Sequence, residues 1–170
     1  MTHTAWIGLG ANLGDARAAL SAAVRALAAL PATRLVGVSP LYRSAPWQAQ
    51  GPDYLNAVAR LQTDLVPVAL LDALQAIEVA AGRTRPYPNA PRTLDLDLLA
   101  HGDTVCVTPR LTLPHPRLAQ RAFVLRPWHD LTPDAVVPGM GHVADLLAGV
   151  ADQDAAITEH GVWWLPEQGA

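Results

Sequence analysis

The sequence predicts an α+β fold, a ferredoxin-like split βαβ core whose mostly antiparallel sheet carries helices on its faces. Three observations predict it. Two Ala- and Leu-rich stretches repeat their apolar residues at helical spacing, and several short apolar or alternating runs have strand length. Read in order, these elements spell β-α-β-β-α-β, the order of a split βαβ unit, and further elements follow. The third observation is size: 170 residues, 51% of them hydrophobic, fit one domain over 1–170 that buries roughly 70% of its unfolded surface.

Ala5-Trp-Ile-Gly-Leu-Gly10 reads as the first strand, with its two glycines as a tight exit into the turn Asn12-Leu-Gly-Asp15. Asp15 is placed to cap a helix over 16–30, where Leu20, Val24 and Leu27 share a face and Pro31 ends the run. A second strand, Leu35 to Ser39, continues irregularly through Leu41–Ser44. Residues 45–53 have the composition of a loop, and Leu55 to Thr63 is a third strand. Pro67 suits the first turn of a second helix. Leu70, Leu74, Ile77 and Ala81 make its buried stripe, Gln75 and Glu78 lie three apart on the adjacent face, and Gly82 ends it. A second Pro-rich loop spans 83–91. Beyond it come a strand from Leu94, a turn at His101-Gly-Asp103, a strand at 104–107, an extended piece at 110–115 and a helix from Pro116 to about Trp128. A Pro/Gly-rich turn, a short helix over 143–150 and a last strand over 157–165 complete the chain.

The strand after the second loop carries the chemistry. In Arg92-Thr-Leu-Asp95-Leu-Asp97-Leu-Leu, leucines alternate with aspartates at the period of a strand. Leu94, Leu96 and Leu98 then face a core, and Asp95 and Asp97 share the other face. Their Cα atoms stand ~6.7 Å apart, two strand steps. Two carboxylates roughly 5 Å apart repel by about 3 kcal/mol at an effective dielectric near 20. A cation between them relieves that repulsion, and hard oxygen ligands suit Mg²⁺, which keeps positions for phosphates. The alternative is a solvated strand face whose aspartates pair with arginines. Arg83, Arg85 and Arg92 upstream, and Arg110, His115 and Arg121 downstream, supply the phosphate-binding groups that favour the Mg²⁺–phosphate reading.

Composition excludes several classes. Net charge is −3 and the pI is about 6.0, so no basic field favours nucleic acid. All 12 basic residues are Arg, which excludes a P-loop and a Schiff-base lysine. Cys106 is the single cysteine, read as a small core residue. The N-terminus lacks a basic region followed by an apolar run, and no stretch has 18 continuous apolar residues. The expectation is a cytoplasmic monomer acting on small molecules, away from membranes. Arg17, Arg25, Arg117 and Arg126 are read as surface residues, and the other five histidines have no metal-ligand spacing.

Three segments resemble the 6-hydroxymethyl-7,8-dihydropterin pyrophosphokinase family. They are Ile7-Gly-Leu-Gly-Ala-Asn12-Leu-Gly; Leu41-Tyr-Arg-Ser-Ala-Pro46 with Gly51-Pro-Asp-Tyr54-Leu-Asn56-Ala; and Asn89-Ala-Pro-Arg92-Thr-Leu-Asp95-Leu-Asp97-Leu-Leu with Arg110-Leu-Thr112-Leu-Pro-His115 and Arg121-Ala-Phe123. The resemblance covers residues 5 to about 138 in the same order. It implies transfer of the pyrophosphoryl group of ATP to the hydroxymethyl oxygen of the reduced pterin, with release of AMP, in folate biosynthesis. Asp95 and Asp97 then hold two Mg²⁺ ions, and Arg83 and Arg92 match the family's important site arginines. Arg85, Arg110, Arg121 and His115 match phosphate contacts. Gln75, Glu78, Leu98 and Thr112 match positions of the nucleotide pocket. Ser44, Ala45, Pro46, Tyr54, Asn56, Phe123 and Asp95 match the pterin pocket.

The chain departs from the family where Asn89 replaces a common tryptophan and Pro86 a common basic residue. Trp47, or failing it Tyr87, is expected to take over as the cap on the pterin. Loops 44–53 and 83–91 combine Pro, Gly and site residues in the manner of lids. Two other classes remain open at this point: a non-catalytic nucleotide- or pterin-binding domain on the same fold, and a different Mg²⁺-dependent phosphotransferase or phosphohydrolase.

Overall fold

A computed structural model describes residues 2–12, 15–45, 53–82 and 94–165. Along the chain lie β1 (His3–Ala11), α1 (Ala16–Ala28), β2 (Thr33–Val38), β3 (Leu41–Ser44), β4 (Tyr54–Thr63), α2 (Pro67–Ala80) and β5 (Asp95–His101). Then come β6 (Cys106–Val107), β7 (Thr112–Leu113), a 3₁₀ turn (Leu118–Gln120), α3 (Ala122–Leu131), β8 (Val136–Val137), β9 (Gly141–His142), α4 (Val143–Ala148) and β10 (Ala156–Glu159).

The main sheet has the order β10-β3-β4-β1-β5, with β2 beside β3 on the same edge of β4, and every pairing is antiparallel. This is the expected split βαβ arrangement. Each strand alternates its side chains, so the sheet divides two hydrophobic cores. Ile7, Leu9, Ala59, Leu61, Leu96 and Leu98 pack one face with Leu20, Val24 and Leu27 of α1 and Leu70 and Leu74 of α2. Val58 and Leu99 pack the other face with Leu125 and Trp128 of α3 and Val143 of α4.

Local signals account for most of these elements. Asp15 caps α1 by accepting from the Ala18 N–H at 3.0 Å. Pro67 occupies the first turn of α2, and Gly82, at φ +89°, takes the left-handed position just beyond it. The irregularity between β2 and β3 has a specific form. Ser39 N–H donates to Val58 O at 2.9 Å, and Val58 N–H donates to the Ser39 hydroxyl at 2.9 Å. The hydroxyl thus replaces a backbone acceptor, which leaves the Ser39 carbonyl for another partner.

Four expectations need correction. The helix expected from Pro116 begins only at Ala122, because Arg121 is extended (φ −127°, ψ 100°), and it runs past Pro127 to Leu131. The strand at 104–107 shrinks to Cys106–Val107. The last strand stops at Glu159, and Gly161 (φ +70°) turns the chain so that Trp163 enters the first core. The Pro/Gly-rich turn after α3 forms a hairpin, β8–β9, with Gly139 and Gly141 at positive φ.

Candidate functional site

The site is built on the face of the sheet turned toward α3. In β1, Ala5, Ile7, Leu9 and Ala11 belong to the first core, so Gly8 and Gly10 fall on the opposite face. The register places Gly10 beside Asn56 of β4 on one side and Asp95 of β5 on the other, with Gly8 beside Asp97. Leu94, Leu96 and Leu98 are buried, and the aspartates between them are half-buried. The alternation read from the sequence is therefore the alternation in space.

These residues floor a cleft of about 210 Å³. Ser44, Ala45 and Tyr54 wall it at the β3–β4 end, and Arg121, Phe123 and Val124 wall it from the start of α3. The glycines were read as a strand exit, but β1 continues to Ala11 and they lie inside it. A Cβ on Gly10 would stand 3.3 Å from Asn56 Nδ2, and one on Gly8 would stand 3.4 Å from Leu99 Cδ2. The bare backbone thus forms the floor. Two glycines separated by one apolar residue in a strand were the available signal.

Hydrogen bonding orients the polar groups. The Ser44 hydroxyl donates to Asn56 Oδ1 at 2.7 Å, and Asn56 is 4% exposed. The amide then keeps its NH₂ as the group beside Gly10, a donor suited to the edge of a flat heterocycle. Tyr42, the next residue of β3 on this face, donates its hydroxyl to Asp130 of α3 and ties the two walls together. Burial, reinforced by Asp130, pushes the Tyr42 phenol up, so it remains a donor.

Asp97 sits between two cationic or proton-bearing groups. Arg121 Nη1 is 3.7 Å from its Oδ2, and His115 Nε2 is 4.0 Å from its Oδ1. His115 N–H donates to Leu99 O at 2.9 Å, fixing the residue to β5, and its Nδ1 accepts from Arg117 N–H at 3.2 Å. The neutral ring therefore carries its proton on Nε2, toward Asp97. Burial pushes the imidazole below its ordinary value of 6.5; Asp97 opposes that shift, and Arg121 and Arg117 add to it. The Arg121 guanidinium also lies 5.6 Å from the Phe123 ring centre.

The contacts from Arg121 and His115 to Asp97 are both longer than a hydrogen bond. Among the described residues, no three His, Cys, Asp or Glu side chains gather as a cation cage. Two carboxylates on one strand face fit Mg²⁺, which takes one or two protein carboxylates and completes its shell with water and phosphate.

The other sequence-derived residues form a second group on the far side of β5. Glu78 of α2 is 4% exposed, and its carboxylate accepts the Leu96 N–H at 2.9 Å, serving the edge of β5 that β1 does not pair. Leu98 is buried in the first core. Arg110 pairs with Asp72 of α2, Thr112 lies half-buried on β7, and Gln75 is exposed. Arg17, read as a solvated surface residue, pairs with Glu159 at 2.5 Å. Pro46, Trp47, Arg83, Arg85, Tyr87, Asn89 and Arg92 lie outside the described residues.

Comparison with known proteins adds a family. A family model described as 7,8-dihydro-6-hydroxymethylpterin-pyrophosphokinase (HPPK) matches residues 6–133. A Pseudomonas aeruginosa protein named 2-amino-4-hydroxy-6-hydroxymethyldihydropteridine pyrophosphokinase is 48% identical over 149 residues, covering 87% of this chain and 92% of its own. A Haemophilus influenzae protein of the same name is 42% identical over 150 residues, covering 88% and 94%. Among solved structures, a crystal structure of Plasmodium falciparum HPPK-DHPS with STZ-DHP superimposes with a TM-score of 0.72 at 12% identity. It covers 89% of this chain, which spans only 44% of that one, and the likeness is one of fold.

Proposed function

Because this chain belongs to the 7,8-dihydro-6-hydroxymethylpterin-pyrophosphokinase family, we propose that its cleft receives the pterin and that Asp95 and Asp97 face the triphosphate of ATP. The enzyme moves the pyrophosphoryl group of ATP to the hydroxymethyl oxygen of 6-hydroxymethyl-7,8-dihydropterin in folate biosynthesis. A bond forms between that oxygen and the β-phosphorus, the bond from β-phosphorus to the bridging oxygen breaks, and AMP leaves with that oxygen. The hydroxyl proton is released.

One observation carries the assignment of residues. Asp95 and Asp97 share a single cleft with Asn56 and Phe123, across a floor of two glycines. In this reading Asn56 presents its amide to the pterin edge, and Phe123 covers the ring. Ser44, Ala45 and Tyr54 border the same space, and Pro46 and Trp47 are assigned to the pterin by the resemblance of their segment alone. Arg121 and His115 flank Asp97, where charge accumulates on the transferring group, with Arg83, Arg85 and Arg92 as further phosphate ligands. Asp95 and Asp97 would hold Mg²⁺, in the two-ion form, and the metal when bound would supply charge neutralisation for the phosphoryl transfer. No covalent nucleophile is required, since this chemistry rests on positioning and electrostatics. The nucleotide is assigned to the side of α2, β5 and β7 where Gln75, Glu78, Leu98, Arg110 and Thr112 stand, Glu78 and Leu98 being buried within that wall.

The chain is read as one domain, monomeric and cytoplasmic, with no nucleic acid partner. No helix among the described residues is long and apolar enough to cross a membrane. The test is to incubate the protein with ATP, Mg²⁺ and hydroxymethyl-dihydropterin and to identify the nucleotide products. AMP formed only when pterin is present is the expected result. ADP would indicate a different phosphotransferase, and binding without turnover would indicate a binding domain.

A further inference from the structure

β3 brings Ser44 and Ala45 to the cleft, yet it is only four residues long. One of its edges pairs with β4. The other is covered by β10, with Ala156 opposite Arg43, Ile157 opposite Tyr42 and Glu159 opposite Leu41. The Thr158 hydroxyl adds a bond to Leu41 O at 3.3 Å.

The turn after β10 is fastened twice more. Arg17 of α1 contacts the two Glu159 carboxylate oxygens at 2.5 and 3.0 Å and reaches the Trp163 carbonyl at 3.2 Å. Trp163 is 4% exposed, and its indole N–H donates at 2.9 Å to the carbonyl of Ser39, the group freed by the break before β3. Residues 39 and 41–43, up to the residue before Ser44, are therefore held by residues beyond the 6–133 span of the family match.

We infer that Ala156–Trp163 is a positioning brace for the pterin wall. It fixes β3, β3 fixes the Ser44 hydroxyl, and that hydroxyl orients the Asn56 amide. The inference rests on the reading that Ser44 and Asn56 border the pterin. It also has a direction. β10 and β3 form one edge of the sheet and β5 the other, with β4 and β1 between them. Loosening the brace disturbs the pterin side and spares the nucleotide side.

The test uses Glu159→Gln with Trp163→Phe, which removes the carboxylate charge that faces Arg17 and the indole donor, while Gln keeps the size of Glu and Phe keeps an aromatic ring in the core. Neither residue lines the cleft. KM for pterin, KM for ATP and kcat are measured separately, with calorimetric binding of pterin and amide exchange over 41–44. The loss of one hydrogen bond and one ion pair is expected to raise pterin KM about 3- to 10-fold, with ATP KM within about 2-fold and faster exchange in 41–44. If the double variant fails to fold, Trp163→Phe alone is subjected to the same measurements. Unchanged KM values, equal rises in both, or a loss of turnover matching the unfolded fraction would each overturn the brace. Wild-type protein that binds no pterin overturns the functional reading and the brace with it. Wild type and variants binding pterin equally overturns the brace alone.

Discussion

Asp97 illustrates how much one residue has to reconcile. It is 40% exposed, with Arg121 and His115 beside it. Asp97→Asn should reduce turnover by at least ~10²-fold, since a metal-ligand charge acts on the transition state. Its unfolding free energy without Mg²⁺ should stay within about 1 kcal/mol of wild type, because partly exposed ion pairs contribute little. Steady-state rates and denaturant titration check both. His115 gives a pH signature. Its imidazole is held below 6.5 in the folded chain, so the unfolded chain binds more protons at mildly acidic pH. Its contribution to stability is complete above pH 6.5 and is lost as pH falls through the folded value. His115→Gln should flatten that acid limb, and a limb identical to wild type would assign it to other groups. Gly10 was misread at this scale because glycine in isolation signals a break. In β1 its lack of a side chain makes the floor, and Gly10→Ala should weaken pterin binding while ATP affinity holds. The period-2 alternation of Asp95 and Asp97 was legible because burial in a strand obeys it. The burial of Glu78 was not, since its partner, the Leu96 N–H, comes from another element.

Elements whose ends are defined by their own residues were read closely: α1 by Asp15, α2 by Pro67 and Gly82. The start of α3 was not, because its cap comes from a distant part of the chain. The Ala122 N–H donates to Gln153 Oε1 at 3.0 Å, and Gln153 Nε2 donates to Gln120 O at 2.9 Å. The cap lies 31 residues downstream, beyond the reach of any local pattern. Arg121 and Phe123 flank that capped position. Gln153→Ala should cost about 1 kcal/mol, which for a chain of this size lowers the melting temperature by about 2–4 °C, and it should weaken pterin binding as the helix end frays. Calorimetry of unfolding and of binding reads the two effects. The final strand was overextended for a comparable reason, since Val162-Trp-Trp-Leu165 has strand composition but Gly161 turns it into the core.

At the scale of the whole molecule, ligands should stabilise the fold through linkage. A non-hydrolysable ATP analogue with Mg²⁺, at about 100 times its Kd, adds about 2.7 kcal/mol, a rise of roughly 5–10 °C in melting temperature. Chelating the metal should remove most of that rise, and a rise unaffected by chelation would place the nucleotide away from Asp95 and Asp97. The sheet is a partition with a hydrophobic core on each side, and the cleft opens on one of its faces. Leu94, Leu96 and Leu98 serve the first core from the same short run of chain that offers Asp95 and Asp97 to the cleft. A deletion of one residue here would exchange the two sets, sending carboxylates into the first core and leucines into the cleft. This strand can therefore change by substitution but not by length, and any lineage descending from this sequence is bound to insert and delete elsewhere.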